Sequence, residues 1–100
     1  MIRVKLIQLS TDEYDSIGQP IETETYTEPM ADEGPITQSE FLAAGQRGFE
    51  AQGKYTVWES EYHGEEILEK NGERYHIYRT YPVNGRRELY VGWRIGENQS

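Results

Sequence analysis

The residues that could do chemistry are few and poorly grouped. His63 stands among Glu59, Glu61, Glu65 and Glu66. An imidazole beside carboxylates can hold a divalent metal or move a proton. The spacing fits no ligand pattern and all five residues fall in one turn region, so a solvated acidic turn is expected. His76 is a lone strand histidine on the face of Tyr78 and Thr80, expected at a surface or interface. The acid pairs Glu65-Glu66 and Asp32-Glu33 would need one carboxyl desolvated to divide acid and base roles. Their flanks are too polar for that. Gly45-Gln46-Arg47-Gly48 has too few glycines for a phosphate cradle, and a strand rather than a helix follows it. The chain has no Cys, which removes thiol catalysis, disulfides and thiolate metal sites together. It has no Gly-x-Ser-x-Gly, P-loop or His-Glu-x-x-His motif. No catalytic, cofactor or metal site is expected, and the chain is not expected to be an enzyme.

A second grouping is aromatic. Tyr75, Tyr78, Tyr81 and Tyr90 lie near Arg74, Arg79, Arg86 and Arg87. Aromatics interleaved with Arg on a sheet can stack single-stranded bases. The same types are enriched in protein–protein contacts. The formal net charge of −8 favours the second use.

Strand patterning must position these groups. Ile2, Val4 and Leu6 alternate with Arg3 and Lys5, a half-buried strand. Ser10–Gln19 is turn-rich, and Ile21–Glu28 alternates Thr with Glu or Tyr, so the two strands form a long hairpin. Residues 30–49 read as a long central loop broken by Pro29, Gly34 and Pro35. Thr37-Gln38-Ser39-Glu40 is a capping box, with Thr37 as N-cap and Glu40 reaching back to its amide. It opens one short helix through Phe41, Leu42, Ala43 and Ala44, stopping at Gly45. From Ala51 to Trp58, Ala51, Gly53, Tyr55 and Val57 share one face; Gln52, Lys54, Thr56 and Trp58 share the other. Strands are expected at 65–70, 73–83 and 86–95, joined by Asn71-Gly72 and Asn84-Gly85, the favoured two-residue hairpin turns. Tyr75, Ile77, Arg79 and Tyr81 should share a face, and Leu89, Val91, Trp93 and Ile95 should point inward. The fold class is all-β and mainly antiparallel: a small β-barrel of about six strands in one domain, 1–95, with a polar disordered tail at 96–100.

Composition sets the limits. One hundred residues suit one domain. Leu, Ile, Val and Phe total only 19, so eight Tyr and two Trp must supply much of the buried area. A thin core at this size invites completion by partners. Residues 1–50 hold three basic and ten acidic side chains; residues 51–100 hold seven and eight. No apolar run approaches the ~20 residues that span a bilayer, and the N-terminal segment lacks a signal peptide's apolar stretch. A soluble protein without a membrane partner is expected.

The order of these features resembles the head-closure (stopper, or head–tail joining) proteins of tailed bacteriophages and prophages. The likeness runs nearly end to end. It comprises a hairpin turn at Tyr14-Asp15-Ser16-Ile17-Gly18, a Thr/Glu strand at Ile21–Glu28, and Ser39-Glu40-Phe41 followed by Ala43-Ala44-Gly45-Gln46. Lys54-Tyr55-Thr56-Val57-Trp58, Gly72-Glu73-Arg74-Tyr75-His76-Ile77 and Arg86-Arg87-Glu88-Leu89-Tyr90-Val91 complete it. Where many relatives carry Trp-Ala before the central loop, this chain has Pro29-Met30-Ala31. The resemblance implies a structural virion protein. It would be monomeric alone and form a ring below the portal and adaptor proteins. That ring would close the DNA-filled head and meet the tail terminator, with genomic DNA passing its lumen. The location implied is the virion neck, after assembly from the bacterial cytoplasm. Carried onto this chain, the channel or plug loop is Met30–Phe49, with Ser39, Glu40, Phe41, Leu42, Gln46 and Arg47. The ring interface takes Arg79, Tyr81, Arg86, Arg87 and Tyr90. A distal connector or minor tail protein without a plug, or a single-strand-binding β-barrel module, is the alternative.

Overall fold

Period-two alternation dominates the chain, and strands dominate the molecule. A computed structural model describes residues 1–96, the Asp12 side chain excepted. The strands are β1 (Ile2–Arg3), β2 (Lys5–Tyr14), β3 (Pro20–Thr27), β4 (Met30–Gly34), β5 (Phe49–Trp58), β6 (Ile67–Lys70), β7 (Glu73–Val83) and β8 (Arg86–Arg94). One α-helix, α1 (Gln38–Gln46), precedes β5. The class is all-β, and every pairing is antiparallel, in the order β1-β4-β5-β8-β7-β6-β2-β3. No helix among the described residues is long and apolar enough to cross a membrane. Of the tail expected at 96–100, residues 97–100 lie outside the described residues.

Eight strands stand where about six were expected, and two breaks account for the difference. Val4 separates β1 from β2, and its amide donates to the Pro29 carbonyl at 3.1 Å. Glu28 and Pro29 separate β3 from β4; proline brings no N–H to a ladder. β4 corrects the reading of 30–49 as loop. Met-Ala-Asp-Glu-Gly has little strand propensity, but β4 is paired on both sides, with β1 and β5. Its Ala31 is fully buried.

The Asn-Gly turns behave as their chemistry requires. Asn71 and Asn84 sit at φ 53° and 49°, and Gly72 and Gly85 at 82° and 79°. Two left-handed residues in a row match the twist of the flanking strands. The resulting β6-β7-β8 meander presents Leu68, Leu89 and Val91 to a core with Val4, Leu6, Ala31, Tyr55 and Val57.

Two bulges then change the expected faces. β5 carries an extra residue between Ala51 and Gly53, and β7 between Ile77 and Arg79. Tyr75 and Ile77 pack on the main core, but beyond the bulge Arg79 and Tyr81 point away from it. Tyr78 and Ala51 join a second small core with Ala44 of α1, flanked by Ile36, Phe49 and Tyr90. At the end of β8, Trp93 is half-buried and stacks on Tyr75 with ring centroids 5.5 Å apart. Ile95, expected inside, lies past the strand and is 63% exposed.

Gly92 is fixed by this arrangement. It pairs with both Ala51 and His76, and a Cβ there would sit 2.4 Å from the Glu50 carbonyl oxygen. Gly92→Ala should therefore destabilise the protein by about 1–3 kcal/mol, as overpacking against backbone does. Gly45, in α1, has open space around its Cβ position, so Gly45→Ala should stabilise by about 0.5–1 kcal/mol. Urea unfolding of both variants checks the opposite signs.

Candidate protein-docking face

The register of β5, β8 and β7 defines one face away from the main core. Three cross-strand rows lie on it: Lys54–Tyr90–Arg79, Thr56–Glu88–Tyr81 and Trp58–Arg86–Val83. Asp32 extends the second row, opposite Thr56. Helix α1 covers the Ala51–Tyr78 end of the same face.

Each cation here is oriented. Arg86 donates to an Asp32 carboxylate oxygen at 2.9 Å and to the Thr56 carbonyl at 3.2 Å, with its guanidinium 4.7 Å from the Trp58 ring centroid. Arg79 lies 4.0 Å over the Tyr90 ring. The Tyr90 hydroxyl donates to Glu88 at 2.8 Å, and Lys54 stands 3.6 Å from the same carboxylate. Trp58 and Tyr81 remain over half exposed, at 54% and 55%. Aromatic and Arg side chains held in place by neighbours are the composition of an interface anchor.

The helix is tied to this face by one carboxylate. The Thr37 hydroxyl accepts the Glu40 amide at 3.1 Å, as the capping pattern predicts. The Glu40 side chain, expected back at the Thr37 amide, instead accepts Tyr78 Oη–H at 2.8 Å and Arg79 Nη2–H at 2.6 Å. Burial pulls the Glu40 carboxyl upward in pKa, but Arg79 and Tyr78 together outweigh it and hold the group below its ordinary 4.5. Burial and then Glu40 raise the Tyr78 phenol. Phe41 and Leu42 stay exposed, at 48% and 58%. Leu42 lies roughly 200° round the helix from Glu40, so it projects outward.

The sequence-derived groups are thus redistributed. Of the expected channel residues, Ser39, Phe41, Leu42 and Gln46 are exposed helix positions, and Arg47 is the exposed C-cap residue. Glu40 belongs to the sheet contact and bonds directly to Arg79 of the expected ring interface. Arg79, Tyr81, Arg86 and Tyr90 share the outer face. Arg87 does not: it alternates to the Val57 side, where it bonds Glu59 at 2.8 Å and Thr80 at 2.9 Å. Trp58 was missed as a site residue. For Trp58 the signal was present, since alternation puts it with Lys54 and Thr56.

The other candidates resolve individually. His63 is exposed; its amide donates to Glu65 at 2.7 Å and its Nδ1 lies 3.6 Å from the same carboxylate. Among the described residues no group of three or more His, Cys, Asp or Glu could hold a metal. Asp32 and Glu33 separate: Glu33 accepts Lys70 at 2.6 Å and Tyr55 Oη–H at 2.8 Å. Burial and then Glu33 push the Tyr55 phenol up to about 12. Gly45–Gly48 lies at the C-terminal end of α1, where free carbonyls repel phosphate. Of the four clustered tyrosines, Tyr78 lies beneath α1, Tyr75 stacks on Trp93 and Tyr90 is covered by Arg79, leaving Tyr81 as the open ring.

Comparisons with family models, curated proteins and solved structures find no match to this chain.

Because Glu40 is held below its ordinary value, its stabilising contribution is complete above pH 4.5 and fades as the pH falls through the lower folded value. Glu40→Gln should cost about 1–2 kcal/mol at neutral pH and flatten part of the acid-range loss of stability. Glu24 and Glu33, lowered chiefly by hydrogen bonds from Arg74 and Lys70 respectively, keep the remainder. Urea titrations of wild type and variant at pH 7 and about pH 3.5 measure both effects.

Proposed function

We propose that this chain is a structural subunit of a tailed-phage head–tail connector that assembles through the outer face of β5, β7 and β8. The observation carrying this reading is the prearranged Trp58–Arg86–Tyr81–Arg79–Tyr90 face beside α1. Arg86, Arg79 and Tyr90 are already held by Asp32, Glu40 and Glu88, so binding costs them little further entropy. The end-to-end sequence likeness supplies the class, and a heterologous contact of this face with a different surface of the next copy generates a ring.

Small-barrel architecture belongs to the same proposal. β1 and β2 are parted by one residue and β3 and β4 by two, so each pair acts as one bent strand. Counted so, six strands follow one another through β6–β2, β1–β4, β4–β5, β5–β8, β8–β7 and β7–β6 pairings, which supports a closed cycle.

Within the class, the reading without a DNA plug is the better supported. Residues 30–34 are a strand paired on two sides, and α1 is held by Glu40 and Ala44. Such a segment makes a wall of the ring, with Phe41 and Leu42 facing a neighbour.

Deleting the gene from the phage or prophage that encodes the chain tests the reading. DNA-filled heads and finished tails should accumulate apart. Wild-type chain should rejoin them; a folded Trp58→Ala/Tyr81→Ala variant should not. Normal tailed particles without the chain overturn the proposal. Heads joined by a Phe41→Ser/Leu42→Ser variant should retain DNA, and leakage from them would reinstate the plug.

A further inference from the structure

From β2 residue Gln8 to β3 residue Thr25 the hairpin leaves the sheet. β6 pairs with β2 only at Lys5–Ile7, so beyond that point β2 and β3 pair only with each other. The arm is about 20 Å long at the usual strand rise. A two-stranded ribbon without further packing is marginal in water. It is closed by an Asp15 turn, in which the carboxylate accepts the Ile17 and Gln19 amides at 3.0 and 2.9 Å.

The two ribbon edges differ. The β2 edge is interrupted by the register shift between Ser10 and Glu13, and a bulge of this kind blunts an edge. β3 is regular from Pro20 to Thr27 on its free side, with Thr23 half-buried and all its other residues exposed. Prolines at 20 and 29 bracket it. One of its faces carries Glu22, Glu24 and Tyr26; the other carries Ile21, Thr23, Thr25 and Thr27. Between Lys5 and Arg47 the chain has nine carboxylates and no Lys or Arg. Glu24, Asp32, Glu33 and Glu40 are paired with cations of the second half, and Glu22 is exposed with no partner among the described residues.

We propose that the free edge of β3 accepts an extended segment of another protein as a third strand, with a Lys or Arg opposite Glu22, while Glu24 stays engaged by Arg74. A row of unpaired main-chain groups gives affinity, and the Glu/Thr alternation gives the pattern: a cation on one face and β-branched residues on the Thr face. A second copy of β3 is a poor occupant. Antiparallel self-pairing about Glu24 sets Glu24 against Glu24, and pairing about Thr23 sets Glu22 against Glu24. Like charges directly opposite are destabilising. The chain's own basic strand, with Arg3 and Lys5, is already committed to β4 and β6. This site is separate from the outer face of β5, β7 and β8, so it stands or falls independently of the connector reading.

The probe is a capped seven-residue peptide of Lys alternating with Val and Thr, added to the full ¹⁵N-labelled chain. Amide exchange across Ile21–Thr27 should slow at alternate positions. Binding should weaken as salt is raised and disappear when the peptide is N-methylated along its pairing edge. Glu22→Lys, an exposed position with no partner among the described residues, should weaken it by about threefold. Unchanged β3 amides at millimolar peptide, equal binding of the same peptide with Glu for Lys, or protection mapping elsewhere on the chain would each overturn the proposal.

Discussion

Val91 is flanked on both sides by an inserted residue, and the layout of the molecule follows from that. On β5 the extra residue falls between the partners of Gly92 and Val91; on β7 it falls between the partners of Val91 and Tyr90. A bulge bends its strand and re-aims the side chains beyond it. Here the paired bulges keep Tyr55, Ile77 and Val91 in the main core, turn Ala51 to the other side and bring Arg79 there beside Tyr78. That second surface is small, and it is the seat on which Ala44 and Glu40 set the helix. Without the β7 bulge Arg79 would continue the inward face of Tyr75 and Ile77, and Glu40 of α1 would lose its cation. Gly92 is the steric condition for the arrangement, because no side chain fits between it and the Glu50 carbonyl.

What the sequence could and could not convey divides along the same line. The Asn-Gly turns, the span of β7 and the N-cap at Thr37 depend on residues close in sequence, and each was legible. So was the all-β class, through alternation. The bulges were not, because an extra residue is defined by its partner strand and leaves alternation locally intact. A one-residue offset is enough to reverse a face, which is why Arg79 and Tyr81 were grouped with Tyr75 and Ile77. β4 was hidden for a related reason: Ala31 is its one fully buried side chain, and its neighbours β1 and β5, not its own residues, make it a strand. Of the docking face, the Tyr and Arg of β7 and β8 were visible as a cluster. That four of the five Arg and Tyr residues share a side, while Arg87 does not, required the register.

Glu40 carries the same lesson in energetic terms. A capping carboxylate at the third helical position has a local use, the N-cap amide. In this chain Tyr78 and Arg79 offer a charge-assisted pair 38 and 39 residues away in sequence. In a half-buried site such a pair is worth more than an exposed cap bond. The long-range contact wins, and the helix that it secures becomes part of the sheet surface.

Charge follows the same rule of internal use. The acidic first half and the Arg-bearing second half suggest two unlike faces for head-to-tail contact. The structure spends much of that contrast inside one molecule. Glu24 binds Arg74, Asp32 binds Arg86, Glu33 binds Lys70 and Glu40 binds Arg79, each pair joining the first half to the second. Exposed pairs of this kind contribute little stability singly. Their consequence is positional: Glu40 and Asp32 order the Arg79 and Arg86 guanidinium groups over Tyr90 and Trp58 and cancel local charge on the β5–β8 face. Glu13, Asp15 and Glu22 of the arm are not drawn into these pairs, so negative charge stays concentrated there. The two unlike surfaces of this molecule are therefore not a positive face and a negative one. One is a nearly neutral aromatic face beside α1, suited to close packing, and the other is an acidic strand edge, suited to a basic partner.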